Sequence, residues 1–284
     1  TAIIGQSVTL SGAASYDVDG AIVNYRWSMG DGTVLEGETV THRYASSGSY
    51  QVLLTVTDDS GVINKIATDG MRVEVNAPPE PNFSIPDRPV SVSEVAVLDA
   101  SASIDADGQI LSYIWDFGDG AMGEGPIASY AWTRPGEFSV TLTVEDDSGT
   151  ASALQSVTRI VRVDAAPVAD AGPDQYVTAS DVRFDGGGSV DPDGKVTEWL
   201  WEFGDGATAS GQSVSHAYLR PGRYEVALTV RDNSGAPLNT HRDTMWLTIN
   251  TTPIADAGPA QTVAPGEEFV LSGRASVDPD GEIS

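Results

Sequence analysis

No cysteine occurs among the 284 residues, and lysine plus arginine number only 15 against 41 aspartates and glutamates. The first absence excludes a disulfide framework, thiolate zinc sites, iron–sulfur clusters and a thiol nucleophile. The second leaves a net charge of −26. Such a surface repels phosphate, so neither nucleic acid nor an anionic membrane is an expected partner. No apolar run approaches the roughly 20 residues that a membrane span needs. Residues 1–20 also lack the basic start and apolar stretch of a signal peptide, so an export signal, if there is one, is expected outside this sequence. Hydrophobic residues make up 40% of the chain, enough for packed cores, so disorder is not expected.

What is present is a repeat. Asp17-Val18-Asp19-Gly20 recurs as Asp105-Ala106-Asp107-Gly108, Asp191-Pro192-Asp193-Gly194 and Asp278-Pro279-Asp280-Gly281, at intervals of 88, 86 and 87 residues. Ten residues after each of the first three anchors stands a tryptophan (Trp27, Trp115, Trp201), and four further on an Asp-Gly pair (Asp31-Gly32, Asp119-Gly120, Asp205-Gly206). Later in each unit come a glycine (Gly48, Gly136, Gly222), then Asp58-Asp59-Ser60-Gly61, Asp146-Asp147-Ser148-Gly149 or Asp232-Asn233-Ser234-Gly235, and finally Asn76, Asp164 or Asn250. Length varies only beyond that last residue, where Ala77-Pro78-Pro79, Ala165-Ala166-Pro167 and Thr251-Thr252-Pro253 read as short, stiff joints opening into an edge strand. The expected domains are therefore 1–76, whose leading residues are missing, 77–164, 165–250, and the start of a fourth at 251–284.

A period near 87 residues is too long for a solenoid unit and suits a β-sandwich. Val52–Val56, Val140–Val144 and Val226–Val230 alternate and are rich in β-branched residues, as half-buried strands are. Before each Asp-Gly turn, Tyr25, Trp27 and Met29, then Tyr113, Trp115 and Phe117, then Trp199, Trp201 and Phe203 occupy alternate positions and share one face directed at the core. No stretch carries a capped helical period. The expected fold is all-β, with tandem seven-stranded immunoglobulin-like sandwiches arranged end to end.

Trp-Asp-Phe-Gly-Asp-Gly at 115–120, Trp-Glu-Phe-Gly-Asp-Gly at 201–206, Pro135-Gly136 and Pro221-Gly222 before an aromatic, and the closing Asp-Asp-Ser-Gly resemble the polycystic kidney disease (PKD) domain. The resemblance spans nearly the whole chain. Repeat 1 departs most, with Trp27-Ser28-Met29-Gly30 and Ser47-Gly48, and repeat 3 has Asn233 for the second aspartate. The resemblance implies an extracellular or cell-surface sandwich, found in surface-layer proteins and adhesins and as an accessory module of secreted hydrolases, often with bound calcium.

Calcium can also be argued from loop positions. In an immunoglobulin-like sandwich the loops after the second and sixth strands share one end, where the chain also enters. Here the Asp-x-Asp-Gly anchor falls in the first loop, the Asp-Asp-Ser-Gly segment in the second, and the preceding unit's Asn or Asp in the joint. The candidate ligands are Asn76, Asp105, Asp107 and Asp146 for repeat 2; Asp164, Asp191, Asp193 and Asp232 for repeat 3; Asp17 and Asp58 for repeat 1; and Asn250 and Asp278 for the fourth unit. Asp147, backbone carbonyls and water would complete a set of six to eight oxygens. The competing reading is structural, since Asp and Asn before Gly are good turn formers on their own. No EF-hand spacing is present.

Other motifs lead nowhere. Asp116-Phe117-Gly118 spells a kinase triplet but lies in a recurring hairpin without its partners. His42 and His216 are equivalent strand positions, with Tyr130 between them in the series, and no triad spacing surrounds them. Paired acids recurring in every unit speak against a single glycosidase site, and no nucleophile, base and pocket set can be assembled, so no enzyme activity is expected. The only lysines are Lys65 and Lys195, which leaves repeat 2 without a Lys–Asn cross-link. Trp246 alone breaks the aromatic register and is the candidate for an exposed platform. The expected role is a calcium-stiffened spacer of an exported bacterial-type surface adhesin, stalk or fibre. Its partners would be the neighbouring repeats of the same chain, with a homopolymer or a surface ligand beyond them. The alternative is an accessory module that binds polysaccharide or protein for a secreted hydrolase.

Overall fold

The structure, a computed structural model, describes residues 1–61, 65–150 and 152–281. Among these residues there is no helix, and none long and apolar enough to cross a membrane. Three sandwiches follow one another, each with seven strands. Repeat 1 contains β1 (Ala2–Ile3), β2 (Ser7–Ser11), β3 (Ile22–Ser28), β4 (Val34–Glu36), β5 (Thr39–Arg43), β6 (Gly48–Asp58) and β7 (Ile66–Asn76). Repeat 2 contains β8 (Val90–Ser91), β9 (Ala96–Asp99), β10 (Ile110–Asp116), β11 (Met122–Glu124), β12 (Ile127–Tyr130), β13 (Gly136–Asp146) and β14 (Leu154–Asp164). Repeat 3 contains β15 (Gln175–Val177), β16 (Asp181–Asp185), β17 (Val196–Glu202), β18 (Thr208–Ser210), β19 (Ser213–Ala217), β20 (Gly222–Asp232) and β21 (Thr240–Ile249).

The same pairing recurs. In repeat 1 a five-stranded sheet runs β1-β7-β6-β3-β4 and faces the two-stranded β2-β5, and repeat 3 repeats this as β15-β21-β20-β17-β18 over β16-β19. In repeat 2, β12 pairs with β9, β10 with β11 and β13, and the last residues of β14 pair in parallel with β8 through Val163–Val90 and Asp164–Ser91. Two compact units divide the chain: Thr1–Pro86, Val95–Tyr130 and Phe138–Val161 in the first, Asp87–Glu94, Ala131–Glu137 and Arg162–Ser284 in the second.

The alternating aromatic positions form the cores. Trp27, Trp115 and Trp201 are buried, and each indole N–H donates to a glycine carbonyl ten residues on: Gly37 at 3.1 Å, Gly125 at 2.8 Å and Gly211 at 3.1 Å. A buried indole therefore carries no unmet donor. Tyr44 and Tyr218, equally buried, donate their hydroxyls to Met29 O and Phe203 O, each at 3.0 Å, while Trp132 fills the corresponding place in repeat 2. Across the two sheets of each sandwich runs a side-chain tie to the Asp of the hairpin turn: His42 to Asp31, Tyr130 to Asp119 and His216 to Asp205, each at 2.7 Å.

The expected edge strand forms after the first two joints as β8 and β15, each at the edge of its sheet beside β14 or β21, but it does not begin at the prolines. Proline at 78, 79 and 81, at 167 and at 253 removes ladder donors, and what remains are isolated bridges: Glu80–Ile104, Val168–Val190 and Ile254–Val277. Beyond Asn250 the described residues contain no strand and are almost all exposed.

Candidate metal-binding joints

Each joint is made by three short segments. Antiparallel pairing of β10 with β13 and of β17 with β20 brings the anchor loop beside the Asp-Asp-Ser-Gly or Asp-Asn-Ser-Gly loop. At the first joint, Ala77 N donates to both carboxylate oxygens of Asp107, at 3.1 and 3.3 Å, and Asn76 Nδ2 donates to Asp146 Oδ2 at 3.1 Å. At the second joint, Ala165 N donates to Asp193 Oδ1 at 3.1 Å. The second anchor aspartate is thus a latch for the incoming backbone, and Thr251 N on Asp280, at 2.9 and 3.1 Å, repeats the device at the third.

The anchor glycine has a steric reason. A Cβ on Gly108 would lie 2.8 Å from Asp105 Oδ2 and against Asp147 Oδ1, and one on Gly194 would lie 2.5 Å from Asp191 Oδ2 and 3.0 Å from Asn233 Oδ1. The missing side chain leaves a cradle walled by side-chain oxygens.

Burial then sets the electrostatics. Asp146, Asp164 and Asp232 are only 2%, 8% and 3% exposed. Among the described residues no ion pair involves the acids of either joint. Asp105 Oδ2, Asp164 Oδ2 and Asp232 Oδ2 are buried oxygens with no hydrogen-bond partner. Burial pushes the Asp164 carboxyl up to about 6, and the charges of Asp232, Asp193 and Asp191 add to the rise. The Ser234 hydroxyl, which donates to Asp232 Oδ1 at 2.7 Å, lies near enough to Asp164 to offset part of it. Asp105 is raised by burial and by Asp107, Asp146 and Asp147. Burial also pushes Asp146 upward, but hydrogen bonds from Ser148 and Asn76 outweigh it and leave this carboxyl below its ordinary value.

Three segments of the chain, residues 1–73, 76–161 and 164–247, match the PKD domain family. The chain belongs to that family. Over 98% of its length it is 32% identical to the mouse dyslexia-associated protein KIAA0319 homolog, and over 52% it is 31% identical to the pre-pro-metalloprotease PrtV of Vibrio cholerae. It spans 28% and 16% of those two proteins respectively, so they extend well beyond the matched PKD repeats. A single solved PKD domain, PKD1 of Vibrio anguillarum Epp, is 33% identical and aligns over 32% of this chain and 98% of its own, with a TM-score of 0.28.

Within the PKD repeats the expected ligands meet unevenly. Asn76, Asp105, Asp107 and Asp146 come together at the first joint, and Asp164, Asp191, Asp193 and Asp232 at the second. In repeat 1, Asp17 and Asp58 line one cavity of about 160 Å³ with Lys65. Asn250 instead donates to the carbonyl of its neighbour Thr251 at 3.0 Å, while Asp278 Oδ1 accepts from Asp280 N at 3.4 Å. Among the described residues no three acidic or histidine side chains already stand in ligating array. The donor sets still suit a hard cation: oxygens, one orphaned in burial at the first joint and two at the second, each beside a cradle that a methyl group would fill. Sequence reasoning missed Asp280, although its place in the fourth Asp-x-Asp-Gly was the signal for it.

Proposed function

We propose that these PKD repeats are non-catalytic extracellular spacers whose joints are closed by calcium. The observation that carries this reading is the set of buried, unpartnered carboxylate oxygens on Asp105, Asp164 and Asp232 where linker, anchor loop and Asp-(Asp/Asn)-Ser-Gly loop meet. Unpaired buried carboxylates cost folding free energy, and a divalent ion removes both the orphaned lone pairs and the mutual repulsion. In that role Asp105, Asp146, Asp164, Asp191 and Asp232 would hold the ion, with Asn76 contributing its amide oxygen at the first joint. Sites of this kind, tuned to extracellular calcium, bind in the range of roughly 10⁻⁴ to 10⁻³ M. An ion that binds only the assembled joint also stabilises it by mass action. The high negative charge keeps such chains apart in solution. The name of one relative, a pre-pro-metalloprotease, supports export. The carrier under this reading is a surface adhesin, stalk or fibre. Thermal unfolding with millimolar calcium and with chelator tests the metal: a midpoint indifferent to both removes calcium from the function.

A second reading has its own observation. Trp246 is 38% exposed, with Arg223 stacked over its ring at 4.0 Å, and collagenase ColQ1 of Bacillus cereus is 42% identical over 64 residues. In this reading the repeats are accessory modules that hold a secreted hydrolase on its polymer. Retention of the chain on chitin, cellulose or collagen favours it, and passage through all three removes it.

A further inference from the structure

The two described joints between complete repeats carry the same number of carboxylates but place their one amide differently. At the first, the amide is Asn76 in the linker and the acids are Asp105, Asp107, Asp146 and Asp147; at the second, the amide is Asn233 in the loop and the acids are Asp164, Asp191, Asp193 and Asp232. Asn76 is 7% exposed and its Nδ2 donates to Asp146 Oδ2, so the buried linker side chain already satisfies the buried loop acid. Asp164 sits at the same linker position and has no proton to donate when ionised. Its own Oδ2 and the Oδ2 of Asp232 are both buried without a partner. Asn233 cannot take over, since it lies exposed and its Oδ1 accepts from Lys195 N at 3.0 Å.

We propose that calcium dependence is unequal along the chain: the joint at Asp164 needs a cation to satisfy the facing pair of buried acids, Asp164 and Asp232, whereas at the joint of Asn76 the amide–carboxylate bond to Asp146 holds the linker and leaves only Asp105 Oδ2 for an ion. This rests on the calcium reading of the joints and adds which of them the ion controls. The physical basis is the difference in orphaned buried oxygens: two that face each other, on Asp164 and Asp232, at the second joint, against Asp105 Oδ2 alone at the first, where Asn76 satisfies Asp146. A neutral amide facing Asp146 makes a hydrogen bond, while a second carboxylate facing Asp232 leaves two lone-pair sets that only a cation fills at neutral pH. Ser91, buried at the start of repeat 2 and paired with Asp164 in the sheet, accepts the Leu238 N–H at 3.0 Å. The linker residue is therefore the setting, and one atom-for-group exchange, O for NH₂, converts one kind of joint into the other.

The test uses the full chain and three variants, Asp164→Asn, Asn76→Asp and the double exchange, each confirmed as folded by circular dichroism. Calcium titration calorimetry and hydrogen exchange of the linker amides Ala77 and Ala165 are measured with calcium and with chelator. In the wild type, chelation is expected to raise exchange at Ala165 at least tenfold and at Ala77 less than twofold. Asp164→Asn should make Ala165 exchange independent of calcium and weaken the tightest site at least tenfold. Asn76→Asp should make Ala77 exchange calcium-dependent, and the double exchange should reverse the wild-type pattern. An equal response at both linkers overturns the asymmetry while leaving calcium binding intact. No heat of binding and no exchange response at either linker overturns the calcium reading and the asymmetry with it.

Discussion

In the calcium-free protein, Asp164 should make repeat 3 more stable as pH falls from 7 to 5. Its carboxyl titrates at about 6 in the folded chain and near 3.8 when unfolded. Between those values the folded state holds a proton that the unfolded state has lost, so stability falls as pH rises through 6 and is fully recovered below 3.8. The gap corresponds to about 3 kcal/mol over the whole window, of which about 1.3 kcal/mol is gained between pH 7 and pH 5. Carboxyls held low, such as Asp146, Asp31 and Asp205, lose their contribution only below their ordinary range and do not mask this window. Urea unfolding in chelator reads the effect, with amide exchange along β20 assigning the transition to repeat 3. Asp164→Asn is the control: it should raise stability at pH 7 and leave only the slope of the other carboxyl that burial raises here, Asp193, since an amide at 164 can donate to Asp232 Oδ2 as Asn76 does to Asp146. If wild-type stability is flat or falls between pH 7 and pH 5, or if the variant keeps the wild-type slope, the buried acid is not the cause.

Four further outcomes are expected. Gly194→Ala pushes a methyl group to 2.5 Å from Asp191 Oδ2 and should lower calcium affinity more than tenfold by calorimetry; an unchanged affinity would mean that the anchor acids do not hold the ion. Tyr218→Phe leaves the Phe203 carbonyl without its donor and should cost about 1 to 2 kcal/mol in urea unfolding, whereas Trp115→Ala, which empties the centre of a core, should cost about 3 to 5. Trp246→Ala should change stability by less than about 1 kcal/mol, because the ring is partly exposed and its cation–π partner is a surface arginine; a larger loss would mark Trp246 as structural.

The fold was legible because the repeat supplied three readings of each position. Trp27, Trp115 and Trp201 in equal register, each flanked at two-residue spacing by a second and third apolar side chain, mark one buried face without any alignment. The convergence of Asn76 with Asp146, and of Asp164 with Asp232, followed from loop order in a sandwich. What the sequence concealed depends on direction rather than identity. Nothing in Asn250 distinguishes it from Asn76, yet its amide turns to the Thr251 carbonyl. His42, Tyr130 and His216 were recognised as equivalent strand positions, but a tie to the hairpin aspartate is visible only when β5, β12 and β19 lie across from the turn. The edge strands β8 and β15 begin beyond the joint prolines because those prolines define an extended path while denying it ladder donors.

Those three ties bear on the conditions these modules tolerate. Secreted domains commonly rivet their two layers with a disulfide, which a reducing medium cuts. Here an imidazole or phenol on one layer grips a carboxylate on the other in all three repeats, so no thiol chemistry can unfasten them. The middle repeat, riveted by Tyr130 whose phenol keeps its proton beyond the usual tyrosine range, holds that fastening into alkali.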